Sequence, residues 1–512
     1  MPRHFWTSNF LRFAFFGADA AMNVCANIKG RITVVGRIGI NTCFALVCIV
    51  TSVLGTSVVM AEEDRPNIVL VMADDQGWGD MAYNGHPLIV TPNFDAMAAE
   101  SLRFDSFYAA APVCSPTRGS VMTGRHPNRY GVFKWGHALR PQETTIAEAL
   151  KTAGYATGHF GKWHLGSVRT GSPCNPGACG FDTWLSAENF YDNDPILSRE
   201  GTAVPIEGES SMIAVDAALE FIEDCVEEEE PFLAVVWFGS PHSPHRAAEE
   251  DKAHYPEGTS QDFLGEITGM DRAFGKLRTA ITDQGIRENT ILWYCSDNGG
   301  LPRVGSTGGR GNKGQVYEGG LRVPAILEWP AKIAAPRTSD VRCNTCDIYP
   351  TLLDITGVSI ENQCPLDGVS LLPLLEGEME TRPQPMGFWD YPIGGISTPS
   401  ATWMAELLAA QQEGREGELD QSKLRLDAAE IKQEYSLTSF PGHSAWTDGD
   451  WKLHRIEPKG GGDVQLELYN LADDPKETAD LLDSESERVE AMSEALEGWL
   501  ESVAGSLNGE DY

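Results

Sequence analysis

RPNIVLVMADDQGWGD, residues 65–80, is the stretch that decides the fold. Asn67 to Met72 is an unbroken apolar run, and a strand apolar on both faces belongs in a parallel sheet covered by helices on both sides. The run delivers Asp74 and Asp75 at its carboxyl end. Adjacent carboxylates repel each other unless a cation holds them, and hard oxygen ligands suit Ca²⁺ or Mg²⁺. The ordinary alternative is that they cap a helix.

Three more apolar runs repeat the plan. Tyr155–Phe160 runs into GKWHLG (161–166), which presents Lys162 and His164. Phe232–Phe238 leads to SPHSPH (240–245), with His242 and His245, and Thr290–Cys295 leads to SDNGG (296–300), with Asp297 and Asn298. Between them, helical spacing is read over Thr91–Leu102, Glu143–Ala153, Ser211–Glu228 and Phe263–Thr282. The expected fold is α/β, a large, mostly parallel sheet sandwiched by helices. Open α/β sheets bind ligands outside the carboxyl ends of their strands, so these polar ends are expected to share one site. A glycine-rich loop, VGSTGGRGNKGQVYEGGLRVPA (304–325), adds Arg310 and Lys313.

The remaining element is APVCSPTRGSVMTGRHPNRYG, residues 111–131. Pro116 suits the first turn of a helix, which places Cys114 at a helix N-terminus with Arg118 one turn on, along the same face. N–H groups and the positive helix end then face Cys114, an arrangement suited to an anion. A buried, inert core cysteine is the plain alternative.

CSPTR with MTGR downstream, joined by MADDQGWGD, GKWHLG, SPHSPH, SDNGG and GNKGQVYEGGLRVPA in order, resembles the type I sulfatases of the alkaline-phosphatase superfamily. The resemblance covers most of the chain after residue 61. It implies an alkaline-phosphatase-like fold, and a cysteine, here Cys114, oxidised to formylglycine by a separate generating enzyme. The formylglycine hydrate is the nucleophile in that family. Asp74, Asp75, Asp297 and Asn298 look like ligands of one Ca²⁺ ion, with modified Cys114 completing the shell. Arg118 would stabilise the hydrate, while Lys162, His242 and Lys313 would hold sulfate oxygens, with His242 also protonating the leaving alcohol. His164 would contact the hydrate and help release sulfate. His245, Arg310 and the segment Asn189–Asp194 are candidate substrate contacts outside the sulfate position. Relatives with the same signature cleave phosphonate monoesters or phosphodiesters, so three readings stay open. They are hydrolysis of a sulfated carbohydrate or aryl sulfate, hydrolysis of a phosphorus ester, and, with Cys114 unmodified, non-enzymatic binding of anionic glycans.

Residues 1–61 read as a targeting segment. They hold five basic residues against Asp19 alone, then an apolar run from Thr42 to Met60 and a small-residue cleavage site at Val59-Met60-Ala61. Initiation at Met22 fits the long prelude, and an uncleaved membrane anchor is the alternative. Export to the periplasm or exterior is expected, without a stable membrane span after cleavage. The chain's net charge of −35 becomes −39 once this leader of net +4 is removed, which argues against nucleic acid as a partner. It also points to substrate engaged at a chain end, since a long polyanion is repelled. Of eleven cysteines three lie in the leader; Cys174 and Cys179, flanking the turn NPGA, are candidates for a local disulfide in an oxidising compartment, and Cys343, Cys346 and Cys364 for another.

The catalytic domain is expected over 62–380 and a smaller C-terminal subdomain over 381–512. CNTCDIYPTLLDITG (343–357) reads as a helix, and Thr402–Glu434 as a charged helical insertion, either a lid or a solvated surface piece. Trp451–Arg455 and Gln465–Tyr469 read as strands of a small antiparallel sheet, closed by an amphipathic helix over Glu485–Ser502.

Overall fold

The computed structural model describes residues 65–258 and 260–512. The targeting segment therefore lies outside the described residues. Strand β1 (Asn67–Ala73) is central to an eleven-stranded sheet. Its apolar residues alternate between two cores: Ile68, Leu70 and Met72 enter one, and Val69, Val71 and Ala73 the other. The continuous run is thus two interleaved apolar faces.

The other strands of this sheet are β2 (Leu102–Tyr108), β3 (Ala156–Lys162), β4 (Thr183–Ala187), β5 (Ile196–Arg199), β6 (Thr202–Pro205), β7 (Phe232–Trp237), β8 (Thr290–Ser296), β9 (Arg322–Glu328), β10 (Arg337–Ser339) and β11 (Cys343–Asn344). Their order is β10-β2-β9-β8-β1-β7-β3-β4-β5-β6, with β11 also on β2. The middle, β8-β1-β7-β3-β4, is parallel throughout. Antiparallel pairings lie to either side, where β9 sits between β8 and β2 and where β5 and β6 close the far edge. Met72 lies opposite both Trp237 and Cys295, so the three central strands end together.

Helices α1 (Pro92–Glu100), α2 (Cys114–Thr123), α3 (Ile146–Lys151), α4 (Ser210–Glu227), α5 (Gln261–Asp283) and α6 (Ile348–Thr356) cover the sheet. α2, α3 and α6 pack into the core holding Leu70, and α1, α4 and α5 into the opposite one. α3 is shorter than its spacing suggested because Thr145 and Glu148 form a capping box that starts the helix there. Cys174 and Cys179 are free thiols, as are Cys343, Cys346 and Cys364, which corrects the disulfide expectation. The Cys174 thiol donates instead to the Leu139 carbonyl at 3.1 Å, and the Cys343 thiol to that of Val341 at 3.3 Å.

A second, antiparallel sheet runs β12 (Met386–Asp390), β13 (Gly442–Asp448), β14 (Trp451–Glu457), β15 (Gln465–Asn470). Between β12 and β13 the charged insertion forms α7 (Ser400–Glu413), which buries Met404 and Leu407 in the main core. Gln411 binds the backbone of Gly201 and Ala203, so this helix is bolted to the edge hairpin β5–β6. The closing helix α8 (Ser486–Leu507) buries Leu496, Leu500 and Val503 against the small sheet.

Lys452 on β14 is fully buried, 2.8 Å from Glu318 before β9 and 3.1 Å from Glu477. Removing one partner of a buried ion cluster leaves the others uncompensated. Lys452→Met is expected to lower the free energy of unfolding by about 3–5 kcal/mol, read from urea denaturation. An unchanged midpoint would show that the cluster does not hold the two sheets together.

Candidate active site

The shared register of β1, β7 and β8 sets three loops side by side. The Asp74 amide donates to the Ser240 carbonyl at 2.9 Å and the Asp297 amide to that of Ala73 at 3.2 Å. Asp74, Asp75, Asp297 and Asn298 are all fully buried. Burying carboxylates without counter-charge is prohibitive, and cations from three other elements meet them. Lys162, at the end of β3, lies 2.6 Å from Asp74 Oδ2. Lys313 of the glycine-rich loop lies 2.6 Å from Asp75 Oδ1. Arg118 of α2 reaches Asp297 Oδ2 at 2.7 Å and donates to the Lys162 carbonyl at 3.2 Å.

Cys114 opens α2, after Val113 in extended backbone, as the sequence suggested. One ligand atom from each of Asp74, Asp75, Cys114 and His242 lies within 4.8 Å of the others. His242 Nε2 is 3.6 Å from Asp75 Oδ2, and its ring stacks on Phe190 with centroids 4.1 Å apart. Its Nδ1 is 2.6 Å from the Ser243 carbonyl, so Nδ1 carries a proton and Nε2 is the atom free to gain or lose one.

The pocket's electrostatics follow from burial and charge. Burial opposes ionisation of Asp75, but Lys313, His242 and Lys162 outweigh it and hold the carboxyl well below its usual range. Burial pushes the Cys114 thiol up to about 12 despite the pull of Lys162 and Lys313. An unmodified Cys114 is therefore a neutral thiol at neutral pH, and thiols react and ligate as thiolates. Burial also brings His242 down to about 3, although Asp75 pulls the other way. Asp75 and His164 adopt left-handed backbone, at φ +74° and +55°, a strained setting for non-glycine residues.

A cation fits this donor set. Asp74 Oδ1 and Asn298 Oδ1 are buried with no hydrogen-bond partner, so both oxygens keep lone pairs available to a cation. Both are hard oxygens, of the kind that bind Ca²⁺ or Mg²⁺.

Two candidate substrate contacts, Arg310 and His245, have protein partners of their own. Arg310 stacks on Tyr317, with its guanidinium carbon 3.8 Å from the ring centroid, and pairs with Glu467 of β15 at 2.9 Å. It ties the glycine-rich loop to the small sheet. His245 faces Glu266 at 3.4 Å, beside Phe263. In the segment Asn189–Asp194, Asn189 and Phe190 come to the site.

Thr398, in a stretch with no periodic signal, was not foreseen. Its hydroxyl lies 3.3 Å from His164 Nε2 and accepts from Asn189 Nδ2 at 2.9 Å. A single threonine in an irregular loop carries no pattern that sequence spacing can detect.

The family model described as Sulfatase matches residues 66–358, a span that includes every residue of this site named above except Thr398 and Glu467. The chain belongs to the sulfatase family. This sulfatase is 33% identical to mouse (Mus musculus) N-acetylgalactosamine-6-sulfatase over 363 residues, 62% of this chain and 68% of that one. It is 30% identical to arylsulfatase A of Bos taurus over 490 residues, 85% and 87% of the two chains. In fold it is similar to the crystal structure of Ps i-CgsB in complex with k-i-k-neocarrahexaose, at 23% identity and TM-score 0.70, covering 87% of this chain and 97% of that one. The phosphonate monoester hydrolase of Agrobacterium radiobacter shares the fold more loosely, at 20% identity and TM-score 0.52, covering 88% of this sulfatase and 96% of the hydrolase.

Thr398→Ala removes a hydroxyl that steadies His164 and Asn189. A lost hydrogen bond of about 0.5–1.5 kcal/mol corresponds to a roughly two- to tenfold fall in kcat, measured by steady-state kinetics on a sulfate ester. Unchanged kcat would detach Thr398 from the site's function.

Proposed function

We propose that this sulfatase removes sulfate from a sulfated carbohydrate, with position 114 carried as formylglycine and one Ca²⁺ held by Asp74, Asp75, Asp297 and Asn298. The observation that carries the reading is the convergence of Asp74, Asp75, Cys114 and His242, with Asp297 and Asn298 hydrogen-bonded to Asp75 and with Lys162 and Lys313 paired to the Asp74 and Asp75 carboxylates. The soft sulfur of a neutral thiol is a poor partner for a hard cation, whereas an oxygen at position 114 suits it. When bound, the cation and the formylglycine hydrate supply an oxygen nucleophile of lowered pKa.

The chain's own residues do the rest. Lys162 and Lys313 stand where the anionic ester enters and exchange part of their attraction to Asp74 and Asp75 for the sulfate oxygens. Arg118, locked on Asp297 and the Lys162 carbonyl, keeps the start of α2 facing the carboxylates and adds charge beside position 114. His242 presents Nε2 toward the leaving oxygen. A bound anion raises its proton affinity, which burial alone depresses, so that it protonates the alcohol as the bond breaks. His164, whose Nδ1 is buried without a partner and whose Nε2 meets Thr398, is placed to take a proton on the nucleophile's side.

The substrate is a sulfated sugar of galactose or hexosamine type, engaged at a chain end, because the acidic chain repels a long polyanion. Its relatives named as N-acetylgalactosamine-6-sulfatases support an amino sugar. The leader composition supports export after maturation by the formylglycine-generating enzyme; no helix among the described residues is long and apolar enough to cross a membrane.

Cys114→Ala is expected to abolish turnover and leave the melting temperature within about 2 °C. Mass spectrometry of the peptide containing residue 114 is expected to show the aldehyde; an active enzyme carrying only thiol overturns the nucleophile. Elemental analysis is expected to give one Ca²⁺ per chain, and chelation to cut activity by about 100-fold or more. In a substrate panel, kcat/KM is expected to be higher for sulfated oligosaccharides than for a phosphodiester or phosphonate monoester, and the reverse order would replace sulfur by phosphorus as the element attacked.

A further inference from the structure

We infer that Trp135 is a stacking platform for a sugar ring at the mouth of the active site, an inference that rests on the sulfated-carbohydrate reading. Trp135 is 44% exposed, unusual for an indole at a built junction. It adjoins Gly136, whose N–H donates at 2.9 Å to Oγ of Ser115, the residue after Cys114. The backbone of Trp135 thus stands one residue and one hydrogen bond from the start of α2.

Its placement is rigid. The Ile396 amide donates to the Trp135 carbonyl at 2.8 Å, and His137 Nε2 lies 3.1 Å from the Gly394 carbonyl. Two glycines let the strands of this junction touch. A Cβ on Gly395 would stand 2.2 Å from the indole, and one on Gly136 would stand 2.0 Å from the Ile396 carbonyl oxygen. Gly395 therefore backs the ring closely, while much of the indole remains open to water. The same backing segment continues to Thr398, which touches His164, so platform and catalytic pocket share one wall.

The surroundings combine apolar surface with charged groups, as a sulfated carbohydrate requires. Ile393 and Ile396 are 37% and 38% exposed on the same segment and form an apolar flank. A cleft of about 250 Å³ opens beside them, lined by Ile393 and Ile396 together with Arg140, Arg425 and Lys432, and leaves room for a further, sulfated ring. The apolar C–H face of a pyranose packs on an aromatic ring without adding charge. A chain of net charge −35 gains from such contact, because it holds the neutral part of a substrate whose sulfate it repels at long range.

The test uses the full-length matured enzyme, a panel of sulfated oligosaccharides, and inorganic sulfate as an inhibitor that fills the catalytic pocket alone. Trp135→Ala is expected to raise KM for the preferred oligosaccharide about tenfold with kcat within about twofold, the signature of lost uniform binding. The inhibition constant of sulfate is expected to stay within about twofold, and Trp135→Phe, which keeps a ring, to restore most of the affinity. Unchanged KM in Trp135→Ala overturns the platform. So does a parallel rise in the sulfate constant, which would mark a structural role. A wild-type enzyme that turns over no sulfated sugar overturns the underlying reading and the platform together, and is seen before any variant is made.

Discussion

Three carboxylates, Asp74, Asp75 and Asp297, are sealed from water at the ends of two adjacent strands, and most of the catalytic half is arranged to make that tolerable. Isolated buried charges of this kind neutralise or unfold a protein. Here Lys162, Lys313 and Arg118 converge on them from three separate elements, yet Asp74 Oδ1 and Asn298 Oδ1 accept no hydrogen bond. The carboxylates are balanced well enough to stay buried, and the cations that balance them are what an anionic group would meet.

The balance depends on parts far apart in the chain. Lys313 sits in a loop whose backbone is tied to Gly300 and Pro112, and whose Arg310 is clamped by Glu467 of the small sheet. The Lys452 cluster, joining β14 to Glu318, fixes the far end of the same loop. The second sheet therefore acts on the chemistry by holding the loop that supplies a lysine. In the same way the 391–400 stretch, which leaves that sheet after β12, brings Thr398 to His164 and Gly395 to Trp135.

Acidity and anion chemistry coexist because they act over different distances. The net charge of −35 is a long-range property of the surface and is screened within about a Debye length, roughly 8–10 Å in ordinary buffers. Inside the pocket, screening is weak and the few cations dominate.

Much of this was legible in the sequence, because parallel strands buried on both faces must be continuously apolar and open α/β sheets bind ligands at their carboxyl ends. Those two rules were enough to group Asp74, Asp75, Lys162, His242, Asp297 and Asn298, and Pro116 was enough to set Cys114 at the start of a helix. Local patterns could not show what long-range packing decides. Antiparallel β9, which enters between β8 and β2, depends on sheet pairing and not on its own periodicity. Cys174 and Cys179 look ready to pair in sequence, but the fold gives the Cys174 thiol a carbonyl partner instead. The partners of Arg310 and Thr398 were illegible for the same reason: a side chain's partners are set by which distant backbone reaches it. Residue type and strand order determined the chemistry of the site; tertiary contact alone decided which polar groups were left unpaired to carry it out.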